Sequence, residues 1–162
     1  MLKKINEQVK KFEFFLVGRD NITFIIFSFL ILLVIITPIG MLKYIFDITA
    51  TNSVMKDKNI FESFIIGVIL VPLLETLIFQ IGVIKISLYF NKNKTLAILS
   101  SALAFGLTHI FNAYYFVYAF GIGLYFAYLY FLSLKKGIKP FWSLSVVHAL
   151  FNLTVFCFKF VF

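Results

Sequence analysis

Five blocks of apolar sequence dominate this chain, and they decide what it can fold into. They run from about residue 22 to 46, 61 to 89, 95 to 111, 114 to 134 and 140 to 160. Each approaches or exceeds the roughly 20 residues a helix needs to cross about 30 Å of hydrocarbon. The residues are 62% hydrophobic, against roughly 45–50% for soluble domains, and the excess sits in these blocks. The expected fold is therefore all-α: a polytopic membrane helix bundle of about five transmembrane helices. The block at 95–111 is short and carries Ser100, Ser101, Thr108 and His109, so its neighbours should shield it. Pro38 and Gly40 should bend the end of the first block.

Residues 1–20 mix lysines with apolar residues at Leu2, Ile5, Val9, Phe12, Phe15 and Leu16. That spacing predicts an N-terminal amphipathic helix lying on the membrane surface. It is a poor signal peptide, because the apolar run that follows is longer than the roughly 7–15 residues of such a segment. The expected organisation is this segment, 1–20, and a single membrane domain, 21–162. Residues 47–59 form the longest loop. Cys157 is the one cysteine, so no disulfide can form within the chain.

The net charge of +8 does not indicate nucleic-acid binding, because no basic stripe is interleaved with exposed aromatics. The lysines cluster instead at the ends of the apolar blocks, as residues that set membrane topology do. With the N-terminus inside, eleven basic residues face the cytoplasm (Lys3, Lys4, Lys10, Lys11, Arg19, Lys85, Lys92, Lys94, Lys135, Lys136, Lys139) and four face outward (Lys43, Lys56, Lys58, Lys159). The expectation is a multi-pass integral membrane protein with a cytoplasmic N-terminus. Tyr114, Tyr115 and Tyr118 would mark the outer interface.

Against this background the stretch VPLLETLIFQ, residues 71–80, is anomalous. Glu75 is the last of the chain's seven acidic residues, and the other six lie outside the apolar blocks or at their ends. A carboxylate at the centre of a membrane helix costs about 2.5–3.5 kcal/mol on insertion scales. A partner, water, a metal or protonation must offset that cost. The chain has two histidines, both within apolar blocks: His109 in FGLTHI and His148 in VVHALFN. Phe105 precedes His109 by four residues and His148 precedes Asn152 by four, so each pair shares a helix face. Measured from the inner ends of their spans at 1.5 Å per residue, the depths are about 15 Å for Glu75, 20 Å for His109, 12 Å for His148 and 18 Å for Asn152. Three helices can bring these residues to one level. A lone buried histidine is usually a packing residue and a lone intramembrane Asn usually joins helices. The convergence of all of them points to function.

The same residues resemble the CPBP family, which includes the type II CAAX prenyl endopeptidases and the bacterial Abi proteins. Its pattern is Glu-Glu-x-x-x-Arg, then Phe-x-x-x-His, then His-x-x-x-Asn or Asp, on separate helices. Phe105 to His109 and His148 to Asn152 match the second and third motifs. ETLIFQ keeps Glu75 but has Thr76 and Gln80 where the pattern has its second Glu and its Arg. The resemblance implies an intramembrane endopeptidase in a bacterial inner membrane, acting on a membrane-embedded or lipidated, for instance prenylated, peptide. Glu75 and His109 would activate water, and His148 and Asn152 would stabilise the oxyanion. Pro72 would loosen the helix before Glu75 and widen a water-holding cavity. Thr76 and Gln80, four apart, would form a neutral hydrogen-bonded pair in place of a charged one.

The family has been described as metalloproteases, and Glu75, His109 and His148 would be the zinc set. No His-Glu-x-x-His is present, and the preferred expectation is a metal-free mechanism, because His148 and Asn152 suit an oxyanion hole better than a set of metal ligands. Two other readings remain open at this stage. One is an inactive relative serving as a bacteriocin-immunity or membrane scaffold protein. The other is a proton-coupled carrier, for which the chain shows neither an internal repeat nor paired broken helices.

Overall fold

The computed structural model describes residues 2–45 and 59–160. Among them there are six helical stretches and no strand: α1 (Leu2–Val17), α2 (Asn21–Ile45), α3 (Ile60–Asn91), α4 (Lys94–Leu107), α5 (Ala113–Lys136) and α6 (Pro140–Phe160). The loop expected at 47–59, with Lys56 and Lys58, lies almost wholly outside the described residues, as does Phe46 at the expected end of the first span.

Helix starts follow local chemistry. Asp20 accepts from the backbone N–H of Ile22 and Thr23, both at 3.0 Å, ahead of α2. Asn59 and Glu62 cap α3 reciprocally. Asn93 and Asn112 accept from the N–H groups of Leu96 and Tyr115 at the starts of α4 and α5. Each short polar side chain satisfies a donor that the first helical turn leaves unpaired. Gly137 ends α5 at φ +81°, a left-handed conformation that glycine adopts without a Cβ penalty.

Among the described residues four helices are long and apolar enough to cross a membrane: Asn21–Leu42 within α2, then α3, α5 and α6. The fifth apolar helix, α4, has only 14 residues, about 21 Å at 1.5 Å per residue. It ends at Leu107 rather than near Phe111, so His109 lies beyond the helix and not on its face. Two side chains take over at that end. The Thr108 hydroxyl donates to the Phe105 carbonyl at 2.7 Å, and the His109 ring reaches the same carbonyl at 2.9 Å. Asn112 then starts α5. Helix α2 continues through Pro38 to Ile45.

The core gathers around α5. Phe24, Leu32 and Ile36 of α2, Ile84 of α3, Ala97 and Phe105 of α4, and Leu144, Val147 and Phe151 of α6 pack with Ile122, Phe126 and Leu129. Small residues set the α4–α5 approach. A Cβ on Gly123 would stand 2.9 Å from the Ala102 Cα, and one on Gly106 would stand 3.2 Å from Phe116 and Phe120. Close contact of this kind is how helices associate where lipid removes the hydrophobic drive between them. The opposite faces present Ile22, Ile26, Val34, Leu74 and Leu77 outward.

Helix α1 docks on the end of α5. The Tyr128 hydroxyl donates to Glu13 at 2.5 Å, and Lys135 Nζ donates to the other carboxylate oxygen at 2.8 Å. Lys136 donates to the Val17 and Arg19 carbonyls. The Lys135 ammonium, with Tyr128 second, holds the Glu13 carboxyl below its usual range. The basic groups Arg19, Lys135 and Lys136 thereby collect at one end of the bundle.

Candidate active site

Helix α3 is not a uniform α-helix. Residues Ile65–Leu70 and Thr76–Val83 are π-helical, and the α-helical segment Val71–Glu75 lies between them. In the π register each N–H reaches five residues back instead of four, and such stretches often mark functional positions. Pro72 sits at the start of the α-helical segment and is buried. Its missing N–H and its ring disfavour continuation of the ordinary register. Glu75 ends that segment, between two stretches of altered winding.

Three of the four residues expected to act converge by their side chains. His148 Nε2 stands 3.5 Å from one Glu75 carboxylate oxygen, and His109 Nε2 stands 3.9 Å from the other. Both distances exceed a direct hydrogen bond. They leave each imidazole facing its own carboxylate oxygen, with room for a shared small group between them. The Glu75 and His109 side chains are 19% and 25% exposed, while His148 is 4% exposed.

The orientation of each ring has a cause. His109 Nδ1 contacts the Phe105 carbonyl at 2.9 Å and the Thr108 hydroxyl at 3.1 Å. A carbonyl can only accept, and the Thr108 hydrogen is already given to that same carbonyl. These partners assign the proton to Nδ1, so Nε2 presents a lone pair toward Glu75. His148 is fixed by packing: its ring centroid lies 4.7 Å from that of Phe126 and 5.9 Å from that of Phe105. Phe105 also lies 4.8 Å from the His109 ring. It thus touches both imidazoles, besides supplying the carbonyl that orients one of them.

Asn152 is placed differently. Its Nδ2 donates to the Gly67 carbonyl on α3 at 2.8 Å, two turns before Glu75. The expected Thr76–Gln80 pair does not form. Both residues are buried, and among the described residues Thr76 Oγ1 and both polar atoms of Gln80 find no hydrogen-bond partner. The sequence expectation assumed the winding of an α-helix, but these residues belong to a π-helical stretch.

The donor geometry does not fit a metal. Among the described residues no group of three or more His, Cys, Asp and Glu side chains is arranged to hold an ion. Zinc ligands at about 2.0–2.1 Å in a tetrahedral site stand roughly 3.3 Å apart. The 3.9 Å between His109 and Glu75 is wider than that, while the 3.5 Å between His148 and Glu75 is close to it. As arranged, the three side chains are not closed around an ion.

A helical bundle spanning the membrane, with a carboxylate and two imidazoles gathered between its helices, has the layout of an intramembrane protease. The profile of the Rce1-like family, type II CAAX prenyl endopeptidases, matches residues 57–154, and the chain belongs to this family. The match covers α3 through most of α6, the elements that carry Glu75, His109, His148 and Asn152. Neither the curated proteins nor the solved structures compared with the chain gave a match.

Proposed function

We propose that the chain is an active intramembrane endopeptidase that hydrolyses a peptide bond of a membrane-embedded or lipidated peptide. The single observation that carries this reading is the Glu75 carboxylate with a separate histidine Nε2 facing each of its oxygens. A water lying between Glu75 and His109 has two proton acceptors, since His109 holds its own proton on Nδ1. Glu75 takes the proton as the water oxygen attacks the scissile carbonyl, and returns it to the departing amine. His148 Nε2 lies across the carboxylate, where it can meet the oxygen on which negative charge develops. Asn152, one turn further along α6, has two N–H hydrogens on its amide. One is engaged with Gly67, and the second remains to share the oxyanion with His148. Thr76 and Gln80 support Glu75 by packing rather than by charge.

The test is a map of membrane-protein N-termini from host cells carrying wild type or Glu75→Gln at matched expression. The expected result is a set of N-termini present with wild type and absent with the variant, which also names the substrate. Identical maps, with a phenotype that survives Glu75→Gln, refute proteolysis and favour the immunity or scaffold role.

A further inference from the structure

We infer that Pro72 is a positioning residue: it leaves the Gly67 carbonyl open, and that carbonyl fixes which way the Asn152 amide faces. The inference rests on the role proposed above for Asn152 and adds to it a partner on α3.

The main-chain pattern makes Gly67 available. In an α-helical register the Val71 N–H would reach Gly67. It reaches Ile66 instead, because residues 65–70 are π-helical. In the π register the next donor able to reach Gly67 would be residue 72, five positions on. That residue is proline and has no N–H. The altered winding removes one donor and Pro72 removes the other. A carbonyl inside a membrane bundle needs a donor, and Asn152 Nδ2 supplies it at 2.8 Å.

An amide side chain has one accepting end and one donating end of nearly identical shape. Against a partner that can only accept, one orientation is favoured: Nδ2 toward Gly67. The second hydrogen on the same nitrogen then stays available to a substrate oxygen. Without the Gly67 contact the amide can turn over and present its own oxygen to a developing negative charge. Side chains on a helix lean toward its N-terminus, so Glu75 leans back along α3 toward Gly67. The contacts of Asn152 with Gly67 and of His148 with Glu75 therefore lie on one antiparallel seam between α3 and α6. The donor contact that orients Asn152 also fixes the height of His148 against Glu75.

Pro72→Ala restores a main-chain N–H that competes for the Gly67 carbonyl, while alanine is the best helix former. It should release the Asn152 amide without loosening the helix. The direct measurement uses full-length protein in liposomes, labelled with 15N in asparagine side chains and 13C in glycine carbonyls. Solid-state dipolar recoupling should show a nitrogen–carbon contact of about 4 Å in wild type. Asn152→Gln removes the labelled nitrogen and so assigns the signal. A carbonyl can accept two donors, so the contact should lengthen and lose intensity in Pro72→Ala rather than vanish, in protein that still folds by its melting transition. Cleavage of the substrate found by the N-terminal map should fall about tenfold, less than the 10²–10³ typical for outright loss of one oxyanion donor. Pro72→Ser, which also restores the N–H, serves if the alanine variant does not accumulate.

A wild-type protein without the contact overturns the inference. So does a contact that keeps its full wild-type intensity in the Pro72 variants, whatever happens to cleavage, and so does a weakened contact with undiminished cleavage. If no protein is cleaved by wild type, the proteolytic reading fails and Pro72 has no reaction to position for. The dipolar contact then reports separately on the Gly67–Asn152 geometry.

Discussion

A methyl group at position 123 would stand 2.9 Å from the Ala102 Cα, 3.2 Å from the Ala102 carbonyl oxygen and 3.3 Å from the Phe105 Cβ. Two of these atoms are backbone, so no rotamer change relieves the clash. Ordinary contact begins near 3.4 Å, and α4 must therefore move off α5 by about half an ångström or more in Gly123→Ala. Overpacking of this kind costs about 1–3 kcal/mol. For a chain of this size that corresponds to roughly 2–4 °C of melting temperature per kcal/mol. The displaced helix also carries Phe105, which packs on both imidazoles, and the turn bearing His109. His109 Nε2 stands 3.9 Å from Glu75, so a shift of its supporting turn changes the angle at which the two groups can hold one water. Gly121→Ala is the matched control, two residues away on the same helix. Its methyl meets the Cδ1 atoms of Ile36 and Ile39 at 3.7 Å, an ordinary contact. The assay is thermal unfolding in one detergent, with cleavage of the mapped substrate measured in parallel. Gly123→Ala should melt several degrees below both wild type and Gly121→Ala and should lose most of its cleavage. Equal melting of the two variants would refute the claim that α4 and α5 touch through backbone at this point.

Acid should weaken the docking of α1 before it unfolds the bundle. Glu13 has its folded-state pKa lowered, by Lys135 first and then Tyr128. Its contribution is therefore complete above its unfolded value near 4.5, and is lost as pH falls through the lower folded value. Hydrogen exchange of residues 4–17 should accelerate below that range, and Glu13→Gln should show the faster exchange already at neutral pH; a wild-type α1 that stays protected at low pH contradicts this. Dialysis against a strong zinc chelator should leave cleavage within about twofold of untreated protein, because the donors are not set at zinc distances; loss on dialysis with recovery on added zinc would show that the three side chains close on an ion.

The helical membrane class was legible because it depends on bulk hydropathy, which survives any local error. So was the company of Glu75, His109 and His148. An acid and two imidazoles buried at similar depth in a small bundle have few other places to go, and the side chains do converge. Helix boundaries were less legible. From Leu103 to Phe111 the sequence is apolar except at Gly106, Thr108 and His109, so hydropathy extends α4 past its true end. The available signal was Asn112, a short polar residue just ahead of a long apolar run, which is where a helix starts. The π-helical stretches had no signal in periodicity at all. Pro72 was read as a local loosening, whereas it sits between two changes of register that decide which carbonyls are free.

The departures at Thr76 and Gln80 follow from the same burial. Both side chains are almost wholly enclosed, so neither position can carry a lone charge cheaply. Removing one partner of a buried ion pair costs about 3–5 kcal/mol, because the other charge is left unpaired, whereas replacing both partners by well-packed apolar groups is often close to neutral. A single charge at position 76 or at position 80 would be stranded here, whereas Thr76 and Gln80 keep this interior neutral. The unpaired hydroxyl and amide each cost less than a stranded charge does. The consequence reaches Glu75 directly. With no second carboxylate at position 76 and no guanidinium at position 80, the groups that face its two oxygens are the imidazoles of His109 and His148. The chemistry proposed for this site then depends on how those two rings are held, by the Phe105 carbonyl and Thr108 hydroxyl on one side and by the Phe126 and Phe105 rings on the other.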